Sequence, residues 1–474
     1  MSLTLLTCLL PRFLIVFCLT VPIWGAFAPI CGQVAPEPDR EQLLNGLRVL
    51  IWHRPADQDV LLKLRIHSGA AFDVGGKAGQ MAILGDILFP EASTREYFTD
   101  EMGGRLDVDT DYDSITVTMQ GRAREFERIV EILRTAVVTT QITPENVARF
   151  RDGRIKIAKE TNVSPPSWAD RAIASRLFGD FPYGRPQTGS AESLGRVDRA
   201  DLLLARERFL NSNNATLVVA GGVPKTRAIR ALRQLLGPWR KSEQVVPTTF
   251  RQAEAPDIRT LIINAPADLG AEVRLATRGV SRSDQDFATS VVLAIVARKR
   301  WVTLSPELGR KPVFVRNEAH VLPGIFVMGA AVDPLLVGKT LKTAQDVLQS
   351  LTSGPVPGTE LDEAKGEASA QFNKELESTD GKARTWLDID TFGLPSISQQ
   401  ISAFSAVSSA DLQRVASSLF GKTGIASVVV GNSQQLKAML EPNVRVELMG
   451  ELEKPQPDNA EVKPSTTIPA KKPD

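Results

Sequence analysis

Cysteine and histidine are nearly absent from this 474-residue chain, and their placement excludes more than their number does. The only cysteines, Cys8, Cys18 and Cys31, lie within the first 31 residues, so no disulfide can hold the body of the protein. Its stability must come from burial alone, which about 400 residues can supply in two domains. The histidines, His53, His67 and His320, leave few nitrogen ligands for a metal. A strong net charge is also missing: 56 basic and 55 acidic residues give +1, so no global field recruits nucleic acid or anionic lipid. The one basic run, Arg298-Lys299-Arg300, reads as a solvated helix face. No G-x-S-x-G elbow, phosphate-binding P-loop or dinucleotide fingerprint is present.

What is present begins with an export-like leader. Arg12 precedes an apolar run from Phe13 to Ala28, shorter than the ~20 residues of a membrane-spanning helix. Ala26-Phe27-Ala28 has the small-x-small form of a cleavage site, although Pro29 shifts the expected cut towards Ala35. Cys31 follows Ala28-Pro29-Ile30 and makes a poor lipobox. Residues 1–35 are therefore read as a signal peptide and leader of an exported protein. A bacterial periplasm suits a chain without disulfides, and a retained N-terminal membrane anchor is the alternative. At the other end, residues 451–474 are rich in Pro, Lys and Thr and read as a disordered tail.

Between these ends the chain repeats itself. Val197-Asp198-Arg199-Ala200-Asp201-Leu202 recurs as Val407-Ser408-Ser409-Ala410-Asp411-Leu412, and Val218-Val219-Ala220-Gly221 as Val428-Val429-Val430-Gly431, both at an offset of 210 residues. Two similar tandem domains, 36–235 and 245–450, explain one fixed offset. Local patterns fill in the first. Asn45-Gly46 predicts a tight turn before a strand, and Leu62, Leu64 and Ile66 alternate with Lys63, Arg65 and His67 on a second. His67 is thus expected on a surface or cleft wall. Residues 114–119 form a further alternating strand, and a helix over 125–138 places Phe126, Ile129, Val130, Leu133 and Val137 on one face. Thr143-Pro144-Glu145 carries an N-cap followed by proline at the first helical position. His53 ends a strand, His320 lies on a strand over 317–322, and both are read as structural.

The segment Gly79-Gln80-Met81-Ala82-Ile83-Leu84-Gly85-Asp86-Ile87-Leu88-Phe89 resembles the zinc helix of the pitrilysin/insulinase family of metallopeptidases. Supporting stretches are Ser68-Gly69-Ala70-Ala71-Phe72-Asp73 before it, Phe181-Pro182-Tyr183-Gly184, Leu361-Asp362-Glu363-Ala364-Lys365 and Phe392-Gly393-Leu394-Pro395. The resemblance implies an α+β fold of two tandem domains, each a mixed, mainly antiparallel sheet packed against helices. In that family the helix carries His-x-x-Glu-His, two ligands on one helical face and a carboxylate that activates zinc-bound water. Here the corresponding positions are Ala82, Gly85 and Asp86: no donor, no base and one carboxylate. The family's distal glutamate falls near Ile157-Ala158, and Glu160 is the nearest substitute. No zinc or other cofactor is expected, and residues 79–89 are read as a core helix burying Met81, Leu84, Ile87 and Leu88.

In the second domain the resemblance offers Arg300 as a candidate peptide-binding residue, while the family's tyrosine position falls on Val313 or Phe314, which cannot hydrogen-bond a peptide carbonyl. The expectation is a catalytically inactive peptidase homologue. It would be the non-zinc partner of a zinc-bearing homologous subunit, helping to enclose peptide or protein substrates, with no nucleic acid and no membrane beyond the leader. The alternatives are a scaffolding subunit without a peptide substrate, and a divergent metalloendopeptidase using Asp86 or Glu160.

Overall fold

Two six-stranded mixed sheets organise the chain. The first contains β1 (Asp39–Gln42), β2 (Arg48–His53), β3 (Asp59–Ile66), β4 (Arg105–Thr110), β5 (Ile115–Arg122) and β6 (Ala215–Gly221) in the order β1-β2-β6-β3-β5-β4. The second contains β7 (Thr260–Asn264), β8 (Ala271–Arg278), β9 (Val313–Glu318), β10 (Ile325–Val332), β11 (Ala426–Gly431) and β12 (Val446–Met449) in the order β12-β7-β11-β8-β10-β9. In each sheet one central strand, β6 or β11, runs parallel to one neighbour and antiparallel to the other. This computed structural model describes residues 37–161, 164–243, 250, 253–421, 424–440 and 445–449; the leader and the tail lie outside them. The architecture is the α+β fold expected from the sequence, and the described residues from Glu37 onward make one compact unit.

The repeated words have local physical roles. Asp198 and Asp201 form a reciprocal capping box at the start of the helix Arg199–Phe209. Ser408 and Asp411 exchange equivalent bonds before the helix Ser409–Gly421. Each helix is followed by the all-buried strand that carries the second repeated word, because that strand sits at the centre of its sheet. Gly46 adopts φ +86, where a Cβ would also approach Asn213 Cβ to 2.7 Å, so the turn requires glycine. Thr143 Oγ1 accepts from the Asn146 N–H at 3.2 Å and caps the helix Pro144–Thr161. The helix expected over 125–138 is α-helical only over Phe126–Arg134 and widens into a π-turn at Thr135–Thr139, while keeping all five expected core residues buried.

The polar side of β3 is where the structure departs from the sequence reading. Lys63 and Arg65 are buried, and His67 is nearly so, because the helix Thr379–Phe392 from the second half lies across them. The arrangement is reciprocal: the helix Pro165–Phe178 packs on β8 and β11, while Thr379–Phe392 packs on β3 and β6. One ion pair recurs across it. Lys63 Nζ meets Asp380 at 2.6 Å, and Arg274 Nε meets Asp170 at 2.6 Å. Asp170 and Asp380 are separated by the repeat offset of 210, and Lys63 and Arg274 sit opposite Val218 and Val428, which the same offset relates. Alternation marks a strand's polar face but carries no information about a helix more than 300 residues away.

Candidate functional site

The motif helix spans Gln80–Ile87 and is anchored by Asp73, whose carboxylate accepts the backbone N–H groups of Gly79 at 2.6 Å and Met81 at 2.8 Å. These bonds satisfy orphan donors at the helix start. Burial nevertheless pushes Asp73 up to about 7, outweighing the two backbone bonds. Met81, Ile83, Leu84, Ile87 and Leu88 are all buried in the core of the first sheet.

The three motif positions meet different surroundings. Ala82 is buried and offers no donor atom. At Gly85 a Cβ would lie 2.9 Å from Thr110 Oγ1 and 3.3 Å from Val108 Cγ1, so side chains of β4 occupy the space a glutamate would need. Asp86 is held by Arg154 through two parallel bonds, Nε to Oδ2 at 2.5 Å and Nη2 to Oδ1 at 2.9 Å. A fork-on-carboxylate pair of this kind fixes both charge and orientation. Further along the Arg154 helix, Ile157 and Glu160 are exposed and Ala158 is buried. The described residues contain no group of three or more His, Cys, Asp or Glu side chains placed to hold a metal. The donor set here is a single carboxylate already engaged by a guanidinium, which does not fit zinc. Nothing in the sequence marks Arg154 as the partner of Asp86, since the pairing depends on how two helices pack.

The histidines occupy three environments. His53 is exposed at the end of β2. His67 is sealed beneath the helix Thr379–Phe392; Arg48 Nη2 donates to its Nε2 at 2.8 Å, and Thr216 Oγ1 lies 2.9 Å from the same nitrogen. The ring is therefore neutral, with its proton on Nδ1. Burial first, and then Arg48 and Arg65, push it down to about 3. His320 is not on a strand, since β9 ends at Glu318; it sits in the turn that follows, with Nδ1 3.1 Å from Asp113 Oδ2.

Arg300 lies in the helix Phe287–Leu304. Its Nε and Nη2 bond Glu360 at 2.8 and 2.9 Å, and its Nη1 bonds Ser350 Oγ at 2.9 Å. Arg298 pairs with Glu367 and Lys299 with Glu363, so the basic run is half of a charge ladder against the helix Gly358–Glu375 rather than a solvated face. Phe314 lies between the guanidinium groups of Arg274 and Arg316, 5.0 and 4.2 Å from its ring centroid, and fills the space over Gly329.

Fold and site together define a peptidase-like scaffold whose motif helix is built into the core. Residues 196–367 match the family model described as the peptidase M16 inactive domain. The resemblance to the pitrilysin/insulinase peptidases is thereby borne out in sequence match and in fold. An uncharacterized zinc protease of Mycobacterium leprae is 25% identical over 203 residues, covering 42% of this chain and 46% of its own length. Subunit 1 of the human mitochondrial cytochrome b-c1 complex is 22% identical over 223 residues, 46% of each chain. The chain thus matches about half the length of these curated relatives. Among solved structures, a protease from Helicobacter pylori superposes with a TM-score of 0.75 at 18% identity, covering 83% of this chain and 99% of the other. The periplasmic protease PqqL from Escherichia coli gives 0.70 at 15% identity, covering 87% of this chain and 50% of its own. These likenesses establish the fold. Among the described residues no helix is long and apolar enough to cross a membrane.

Proposed function

We propose that this protein is a catalytically silent peptidase homologue, the exported non-zinc subunit of a two-subunit metallopeptidase, and that it helps enclose peptide substrates. The observation that carries this reading is the Asp86–Arg154 pair beside a Gly85 whose side-chain space β4 already fills. Peptide hydrolysis on this scaffold needs a metal to acidify water and a carboxylate to take its proton. Asp86 is neutralised by an internal cation, and Gly85 can neither accept nor deliver a proton.

What the chain can contribute is a wall. β4 is an edge strand beside the motif helix, and an edge ladder can receive an extended peptide through main-chain bonds. Pairing is supported by PqqL, in which the matched part is half of a longer chain, and by a relative that is itself a complex subunit. Export is supported by the leader sequence and by the periplasmic setting in the name of that structural neighbour. Retention by the N-terminal segment is the alternative placement.

A second reading, a scaffolding subunit without a peptide substrate, is favoured by Arg300, whose guanidinium is committed to Glu360 and Ser350, and by Val313 and Phe314, the two candidates for the tyrosine position, neither of which can hydrogen-bond a peptide carbonyl. Co-purification from the native host, followed by a peptidase assay with and without chelator, separates the two. Chelator-sensitive activity that requires a zinc-bearing partner supports the first reading, and a partnerless, inert chain sinks it. Stoichiometric zinc in the purified chain, lost on Asp86→Ala, would instead establish a divergent metalloendopeptidase.

A further inference from the structure

The two halves also meet tip to tip. Residues 111–114 connect β4 to β5 at one edge of the first sheet, and residues 319–324 connect β9 to β10 at the edge of the second. At their junction the buried carboxylate of Asp113 accepts three donors. His320 Nδ1 lies 3.1 Å from Oδ2, while the Val321 N–H and the Tyr183 hydroxyl reach Oδ1 at 3.2 and 3.4 Å. Tyr183 Oη in turn accepts the Leu322 N–H at 3.1 Å, so the tip of the second half's turn bonds to groups of the first. The His320 ring packs against Tyr183 and Tyr112, with centroids 4.7 and 5.2 Å apart. It also borders a cavity of about 210 Å³, which gives a proton a route to the ring.

The charged groups around His320 come from every element packed there. Asp113, with Asp111 behind it, belongs to the β4–β5 turn. Arg316 and Glu318 of β9 pair with each other at 3.2 Å. Asp170 lines the same cavity but is engaged by Arg274. The Arg282 N–H donates to the His320 carbonyl, while its guanidinium lies over Phe287. Burial pushes the phenols of Tyr112 and Tyr183 above their ordinary value, so both stay neutral donors. Histidine is the side chain whose charge ordinarily changes near neutrality.

We propose that His320 is a pH-sensitive clasp between the two halves: protonation of its ring turns the bond to Asp113 into a charge-assisted one and tightens the seam between the two hairpin tips. A neutral imidazole donates one N–H to the carboxylate. The imidazolium donates the same bond with opposite charges facing each other, in a site where little water screens them and two aromatic rings border the cation.

The test is hydrogen exchange on the full chain between pH 5 and 8, corrected for intrinsic rates. The Val321 and Leu322 amides should gain about three- to tenfold protection as pH falls. His320→Gln keeps a donor but cannot take a proton, and its protection should stay flat. A flat or reversed wild-type response, or a Gln variant that follows the wild-type curve, overturns the proposal. Should that variant not fold, the wild type decides. With three histidines in the chain, the His320 ring resonance can be followed directly, and its midpoint must coincide with that of the protection. Separate midpoints would also overturn it.

Discussion

Asp388→Ala isolates what the helix Thr379–Phe392 does for the first half. Arg65 is 6% exposed, and its Nη1 lies 2.5 Å from Asp388 Oδ1, with Thr391 Oγ1 as a longer contact at 3.4 Å. Removing the carboxylate leaves a guanidinium sealed between β3 and the helix, with the Thr391 hydroxyl as its remaining side-chain hydrogen-bond partner among the described residues and Asp111 acting on it only through space. Breaking a buried pair in this way costs about 3–5 kcal/mol, and the lower end applies because Asp388 itself is a quarter exposed. Urea unfolding should therefore show a loss of about 3 kcal/mol through the midpoint rather than the slope. Replacing both partners, Arg65→Met with Asp388→Leu, should recover most of that loss, since the penalty lies in the orphaned charge. Asp170→Ala, at the repeat counterpart of Asp380, should cost less, because Arg274 retains Glu272 at 2.6 Å. A single variant within about 0.5 kcal/mol of wild type, or a double variant as damaged as the single one, would refute the reasoning.

Other outcomes follow from the same geometry. Arg154→Ala should cost about 1–2 kcal/mol by unpairing a carboxylate that is one-fifth exposed, and Arg154→Gln with Asp86→Asn should restore much of it; chemical denaturation reads both. His67 is neutral in the fold at a value near 3 and protonates when unfolded, so its contribution is full above about 6.5 and is lost as pH falls towards 3. His67→Gln should therefore shrink the stability difference between pH 7 and pH 4 by up to about 3 kcal/mol, measured by denaturation at both values. Asp73 has the opposite sign: raised to about 7, it favours the fold below its ordinary 3.8, and that contribution disappears as pH rises through 7. Asp73→Asn should flatten the stability profile between pH 4 and 7; an unchanged slope would show that the carboxylate is not shielded from water.

The sequence made the strand and helix content legible wherever a local rule applied. Asn45-Gly46 dictates its turn through positive φ, Thr143-Pro144 starts its helix, and the 210-residue repeat appears as two capping boxes and two central strands. Rules of this kind act over a few residues, so they can be read one segment at a time. The candidate site was legible only as substitutions. Ala82, Gly85 and Asp86 could be placed on the motif helix, but their surroundings could not.

By itself, then, the sequence determined much of the secondary structure, the tandem repeat and the side-chain chemistry available at each motif position, because backbone preference and donor inventory are properties of individual residues; it did not determine where the strand before His320 ends or where the helix after Phe126 widens. Only the tertiary structure decided what those residues do. It set Arg154 against Asp86 and filled the space at Gly85 from β4. It also laid an acidic helix over Lys63 and Arg65, and brought His320 to Asp113 across 207 residues of chain. Each is a contact between segments distant in sequence, and charge or burial at such a contact depends on which surface arrives there.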